Sequence, residues 1–154
     1  MQRLTGVLLL LLAVCVASCG SGDDGNGNPT SPSTQATLAG TWKATRAEFV
    51  NASNSSQRVE IVALGTTLTL TLDSGGSYTQ KIVDPGQAGQ TTTGTWSASK
   101  DVLTLKPTGS TGNTQFDMTL NGSTLSLSGG HVAFDVNGDD REEETLAYFV
   151  LTRQ

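Results

Sequence analysis

The chain has 154 residues, a net charge of −5, 15% charged and 5% aromatic side chains, and 18 glycines. So low a charged fraction excludes a coiled coil or helical bundle, which would be rich in Ala, Glu, Lys, Leu and Arg. With no basic cluster, nucleic acid is excluded as a partner.

The N-terminus reads as an address. Residues 1–18 combine a short positive start at Arg3 with an apolar run from Val7 to Ala17. That run is shorter than the roughly 20 residues a bilayer span needs, so it reads as an export signal. Val16-Ala17-Ser18-Cys19 resembles the lipobox of bacterial lipoproteins. The resemblance implies cleavage after Ser18 and acylation of Cys19. Each buried methylene of an acyl chain contributes about 0.8 kcal/mol, so several chains on one cysteine anchor firmly to a membrane. Gly20 after the cysteine implies, by the habits of such lipoproteins, the outer membrane of a bacterial envelope. Residues 19–37, rich in Gly, Ser, Asn, Thr and Pro, are expected to form a disordered tether. Cys15 lies in the export signal and Cys19 at the start of the tether, so residues 38–154 must fold as one domain without an internal disulfide.

From Leu38 onward apolar and polar residues alternate with period two, the mark of half-buried strands. The expected strands are 40–50, 57–64, 66–73, 77–83, 91–98, 102–107, 114–120, 123–128, 131–136 and 144–153, the second and third forming one strand if the chain merely bends at Gly65. Short turns join them. Ser74-Gly75-Gly76 predicts Leu72 opposite Tyr78, and Ser99-Lys100 predicts Trp96 opposite Leu103. Asn121-Gly122 predicts Met118 opposite Leu125. In the last hairpin the apolar face predicts Val136 opposite Glu144 and Phe134 opposite Leu146, with an exposed acidic loop at 137–143. The alternative, a tight turn at Asn137-Gly138, would bury three charges. The fold class is therefore all-β: an antiparallel meander of about 8–10 strands. Closing it into an up-and-down barrel removes its two exposed edges.

The motif order resembles that of the bacterial lipocalin-like domain found on many lipoproteins. Gly40-Thr41-Trp42 opens the first strand, Gly94-Thr95-Trp96 repeats the motif, and the chain ends Val150-Leu151-Thr152-Arg153. The resemblance implies that Trp42 plugs one end of the barrel and Arg153 packs across it, with Trp96 a further structural residue.

Little else suggests chemistry. His131 is the only histidine and has no Cys or second His near it in sequence. No Gly-x-Ser-x-Gly elbow is present, and the Gly-rich turn at 73–76 leads into a strand, where phosphate cradles lead into a helix. The chain is expected not to be an enzyme and to need no cofactor. Asp135, Asn137 and Asp139 mimic the first ligands of a calcium loop, but Asp140 stands where Gly is needed and Leu146 where a bidentate Glu is needed. A solvated loop that repels anions at a barrel mouth is the expectation, without a metal. Two function classes remain. One is a membrane-anchored barrel that carries a small hydrophobic or amphipathic ligand. The other is a structural or protein-interaction lipoprotein, an inhibitor or accessory subunit, whose barrel is filled.

Overall fold

A computed structural model describes residues 34–154. The export segment, Cys19 and the first part of the tether lie outside the described residues. Thr34–Leu38, ahead of the expected boundary at 38, forms one helical turn, α1. The turn is held from the barrel side: the Trp42 indole N–H donates to Leu38 O at 2.9 Å.

Nine strands follow: β1 Gly40–Asn51, β2 Arg58–Glu60, β3 Thr67–Leu72, β4 Ser77–Val83, β5 Gln90–Ser99, β6 Val102–Pro107, β7 Thr114–Asn121, β8 Thr124–Phe134 and β9 Glu143–Arg153. All pair antiparallel in the order β2-β1-β3-β4-β5-β6-β7-β8-β9, and β1 also pairs with β9. That last ladder runs from Trp42 opposite Arg153 to Asn51 opposite Thr145 and closes an eight-stranded barrel, with β2 attached outside the ring. The all-β closed barrel is the architecture expected from the alternation.

Two bulges shape it. In β1 the buried residues are Trp42 and Ala44, then Ala47, Phe49 and Asn51, a change of parity across the bulge at Ala44–Arg46. Beyond the bulge β1 leaves β3 and takes β2 on the same edge. Glu60 fills the junction: its carboxylate accepts the amides of Ala47 at 2.8 Å, Val62 at 3.1 Å and Ala63 at 2.7 Å. These bonds convert the expected strand 57–64 into a three-residue strand and a turn, so β2 and β3 are not one strand bent at Gly65. The second bulge lies between Leu127 and Gly130 in β8, which makes one strand of the two expected at 123–128 and 131–136.

Hairpin registers divide by turn type. Leu72 lies opposite Tyr78 and Leu68 opposite Ile82, as the three-residue turn predicts. The two-residue turns are displaced by two positions. Leu105, not Leu103, faces Trp96, around Lys100-Asp101; Leu127, not Leu125, faces Met118, around Gly122-Ser123. A slip of two keeps every side chain on its face, so apolar alternation does not discriminate between these registers. The local backbone does: φ is 52° at Lys100 and 59° at Gly122. The last hairpin also differs. Phe134 pairs with Glu143 and Val132 with Thr145. The loop is therefore 135–142, and the inward set of β9 is Thr145, Ala147, Phe149 and Leu151, while Leu146 and Tyr148 are only half-buried. The β8 bulge causes this, because one inserted residue changes which residues of β8 and β9 stand opposite one another.

Candidate functional site

The barrel has two unlike ends. At one lie the short hairpins of β3–β4, β5–β6 and β7–β8, together with α1 and the C-terminus. At the other lie the longer connections 52–66, 84–89, 108–113 and 135–142. The first end is packed shut. Leu38, Trp42 and Leu151 are fully buried there. The Arg153 guanidinium carbon stands 4.3 Å from the centre of the Trp42 ring. Arg153 also donates to Ala39 O at 2.7 Å and to Thr37 O. Trp96 is buried and donates its indole N–H to Asp73 O at 2.8 Å, tying β5 to the β3–β4 hairpin.

The second end keeps a cavity of about 190 Å³. Five of its lining residues are aromatic: Phe49, Tyr78, Phe116, Phe134 and Phe149. Phe49 and Phe134 stack with centroids 4.1 Å apart and planes within 4°. Phe149 meets Phe49 edge-on at 5.8 Å, and lies tilted at 42° against Phe116 at 5.7 Å. Ile82, Leu105, Pro107 and Val132 add aliphatic surface, and none of the described residues that line the space is charged. A larger recess of about 330 Å³ is a surface notch between α1 and the Lys100-Asp101 turn, with a wall that includes a lysine and an aspartate.

Small residues leave the cavity unfilled. The β5 positions in phase with Trp96 are Gly94 and Thr92. A Cβ on Gly94 would lie 2.1 Å from Lys106 O and 2.7 Å from the Tyr78 ring, so the glycine admits Tyr78 into the barrel. Tyr78 is 3% exposed and lines the cavity. Burial raises its phenol above the ordinary value, so it is neutral and can donate. Its hydroxyl meets no partner among the described residues, yet none of their buried side-chain polar atoms lacks one. The hydroxyl therefore opens onto accessible space. Gln80, two residues along the same face of β4, also lines the cavity and makes no side-chain hydrogen bond. Sequence reasoning passed over both residues. The available signal was a polar Gln80 in the inward phase between Tyr78 and Ile82.

The acidic loop sits at this same end. Asp135 accepts the amides of Gly138 at 2.7 Å, Asp140 at 2.9 Å and Asp139 at 3.2 Å. Burial pushes its carboxyl up, but the backbone N–H groups of Gly138, Asp140, Asp139 and Asn137 outweigh this and hold it below the ordinary range. Carboxylate oxygens of Asp135, Asp139 and Glu143 lie within 4.8 Å of one another. Asn137 lies beside these carboxylates: its amide donates to Glu143 at 2.9 Å and to Asp139 at 3.3 Å. His131 is exposed and places Nδ1 2.8 Å from a Glu144 carboxylate oxygen.

No curated protein matches the chain. The family model of the lipocalin-like domain matches residues 38–127, from the start of the barrel into β8. With that match over more than half its length, and an eight-stranded barrel closed between β1 and β9, the chain belongs to the lipocalin-like domain family.

Proposed function

We propose that this protein is a ligand-binding module, held to a bacterial membrane by acyl chains on Cys19, that takes a small apolar molecule into the open end of its barrel. The observation that carries the reading is the uncharged, aromatic-walled cavity. Apolar pockets with a few placed polar groups are the usual form of small-molecule sites. The acidic residues of the 135–142 loop stand at the same end and disfavour anions there. The described chain enters the barrel through α1, at the end opposite the mouth. Binding is the proposed role in preference to catalysis, and the outer membrane the proposed address.

The second reading, a filled barrel that serves as a structural or interaction protein, is favoured by the packing of the other end, where Leu38, Trp42 and Leu151 leave no space. Native mass spectrometry of the protein purified from its own cells separates the two. A retained small-molecule mass is expected. Recovery of the bare chain mass alone would favour the filled barrel.

A further inference from the structure

We infer that the cavity selects a neutral molecule of single-ring size whose one polar group bonds to the Tyr78 hydroxyl, an inference that rests on the ligand-binding reading above. Three observations converge. The first is size. At about 190 Å³ the space only modestly exceeds the roughly 150 Å³ cavity known to hold benzene. It lies below the roughly 300–1,000 Å³ of ordinary ligand sites. A substituted ring fills it, whereas a long acyl chain or a large polycyclic molecule would extend out of the mouth into water.

The second is shape and charge. The parallel Phe49–Phe134 pair and the edge-on Phe149 present flat faces and ring edges. A planar guest meets both in the offset and edge-to-face arrangements that aromatic pairs prefer. None of the described side chains that line the space is charged, so an ionised guest would lose its hydration without gaining a counter-ion.

The third is Tyr78. Its residue is 3% exposed and its hydroxyl has no partner among the described residues. A polar group at the wall of an apolar space, with its hydrogen-bonding capacity unused, is matched by a guest that carries one donor or acceptor. Gln80, equally unpartnered on the same strand face, offers a second contact from the same wall.

The test compares the full chain with Tyr78→Phe, which keeps the ring and its packing. Four probes are titrated by calorimetry or ligand-observed NMR: 4-methylphenol, its isostere p-xylene, 4-methylbenzoate and 1-dodecanol. We expect both neutral rings to bind. Tyr78→Phe should weaken 4-methylphenol by about three- to tenfold, the scale of one neutral hydrogen bond, and leave p-xylene unchanged. The benzoate should bind at least about tenfold more weakly than the phenol. Equal effects of Tyr78→Phe on the phenol and on p-xylene would overturn the role of the hydroxyl while the binding site stands. Tighter binding of 1-dodecanol than of either ring would overturn the ligand class while ligand binding stands, and the benzoate binding as well as the phenol would overturn the neutrality. Failure of all four probes to bind would overturn this inference and the ligand-binding reading together.

Discussion

Arg153, the penultimate residue, lies over the ring of Trp42 at 4.3 Å and bonds to the carbonyls of Ala39 and Thr37. One side chain thus joins three parts of the closed end: the last strand, the indole plug of the first, and the segment leading out of α1. The β1–β9 ladder brings them together, since Trp42 and Arg153 are direct cross-strand partners.

Removing the plug should cost far more than removing its cover. Trp42 is fully buried, so Trp42→Ala is expected to destabilise the domain by about 3–5 kcal/mol. Arg153 is exposed, and Arg153→Ala is expected to cost about 1 kcal/mol, the scale of an exposed cation–π contact. Arg153→Lys should fall between wild type and the alanine variant, because it keeps the charge but loses the planar fork that reaches two carbonyls. Urea melts followed by tryptophan fluorescence measure the arginine series, and circular dichroism the Trp42 variant.

Glu60 makes stability depend on acid. Burial pushes its carboxyl up, but the amides of Ala47, Ala63 and Val62, with Arg46 nearby, outweigh this and hold the folded-state pKa below the ordinary 4.5. A depressed folded pKa contributes stability above the unfolded value, and that contribution is lost as pH falls through the folded one. Thermal melts should therefore show stability declining from about pH 5 downward. Glu60→Gln should be less stable at pH 7 and show a shallower decline. A variant whose pH profile parallels the wild type would remove Glu60 as a source of the slope.

Gly130 is predicted to resist any side chain. A Cβ there would sit 2.1 Å from the Phe116 ring, whose other neighbour is Phe149. Gly130→Ala should cost about 1–3 kcal/mol by overpacking and reduce binding of any guest, because the displaced Phe116 ring lines the cavity. Gly112→Ala is the control. Its nearest contact would be Ser110 Oγ at 3.9 Å, so its melting temperature should stay close to that of wild type.

Cys19→Ser tests the anchor. If Cys19 is acylated, the variant should leave the membrane fraction or accumulate unprocessed, whereas wild type should resist high-salt washing and partition into detergent. Quantitative membrane retention of the processed serine variant after such washing would mean that Cys19 is not the anchor.

Sequence alone was enough for the all-β class, the closure of the meander and the approximate strand positions, because inward apolar residues recur every second position in nearly every strand. It also singled out Trp42 and Arg153, through the motif order that opens and closes the barrel. It did not determine register in the two-residue hairpins, where a slip of two preserves the faces and only the backbone at Lys100 and Gly122 chooses. Nor did it determine the inward set of β9, because the bulge beside Gly130 changes how β8 and β9 face one another. The cavity was the least legible feature. It arises because Gly94 lets Tyr78 into the barrel and Thr92 is short, while β8 and β9 bring Phe134 and Phe149 to Phe49 from far along the chain. Alternation along one strand reports which side chains turn inward; whether they meet in the middle depends on the sizes of side chains from all the strands at once.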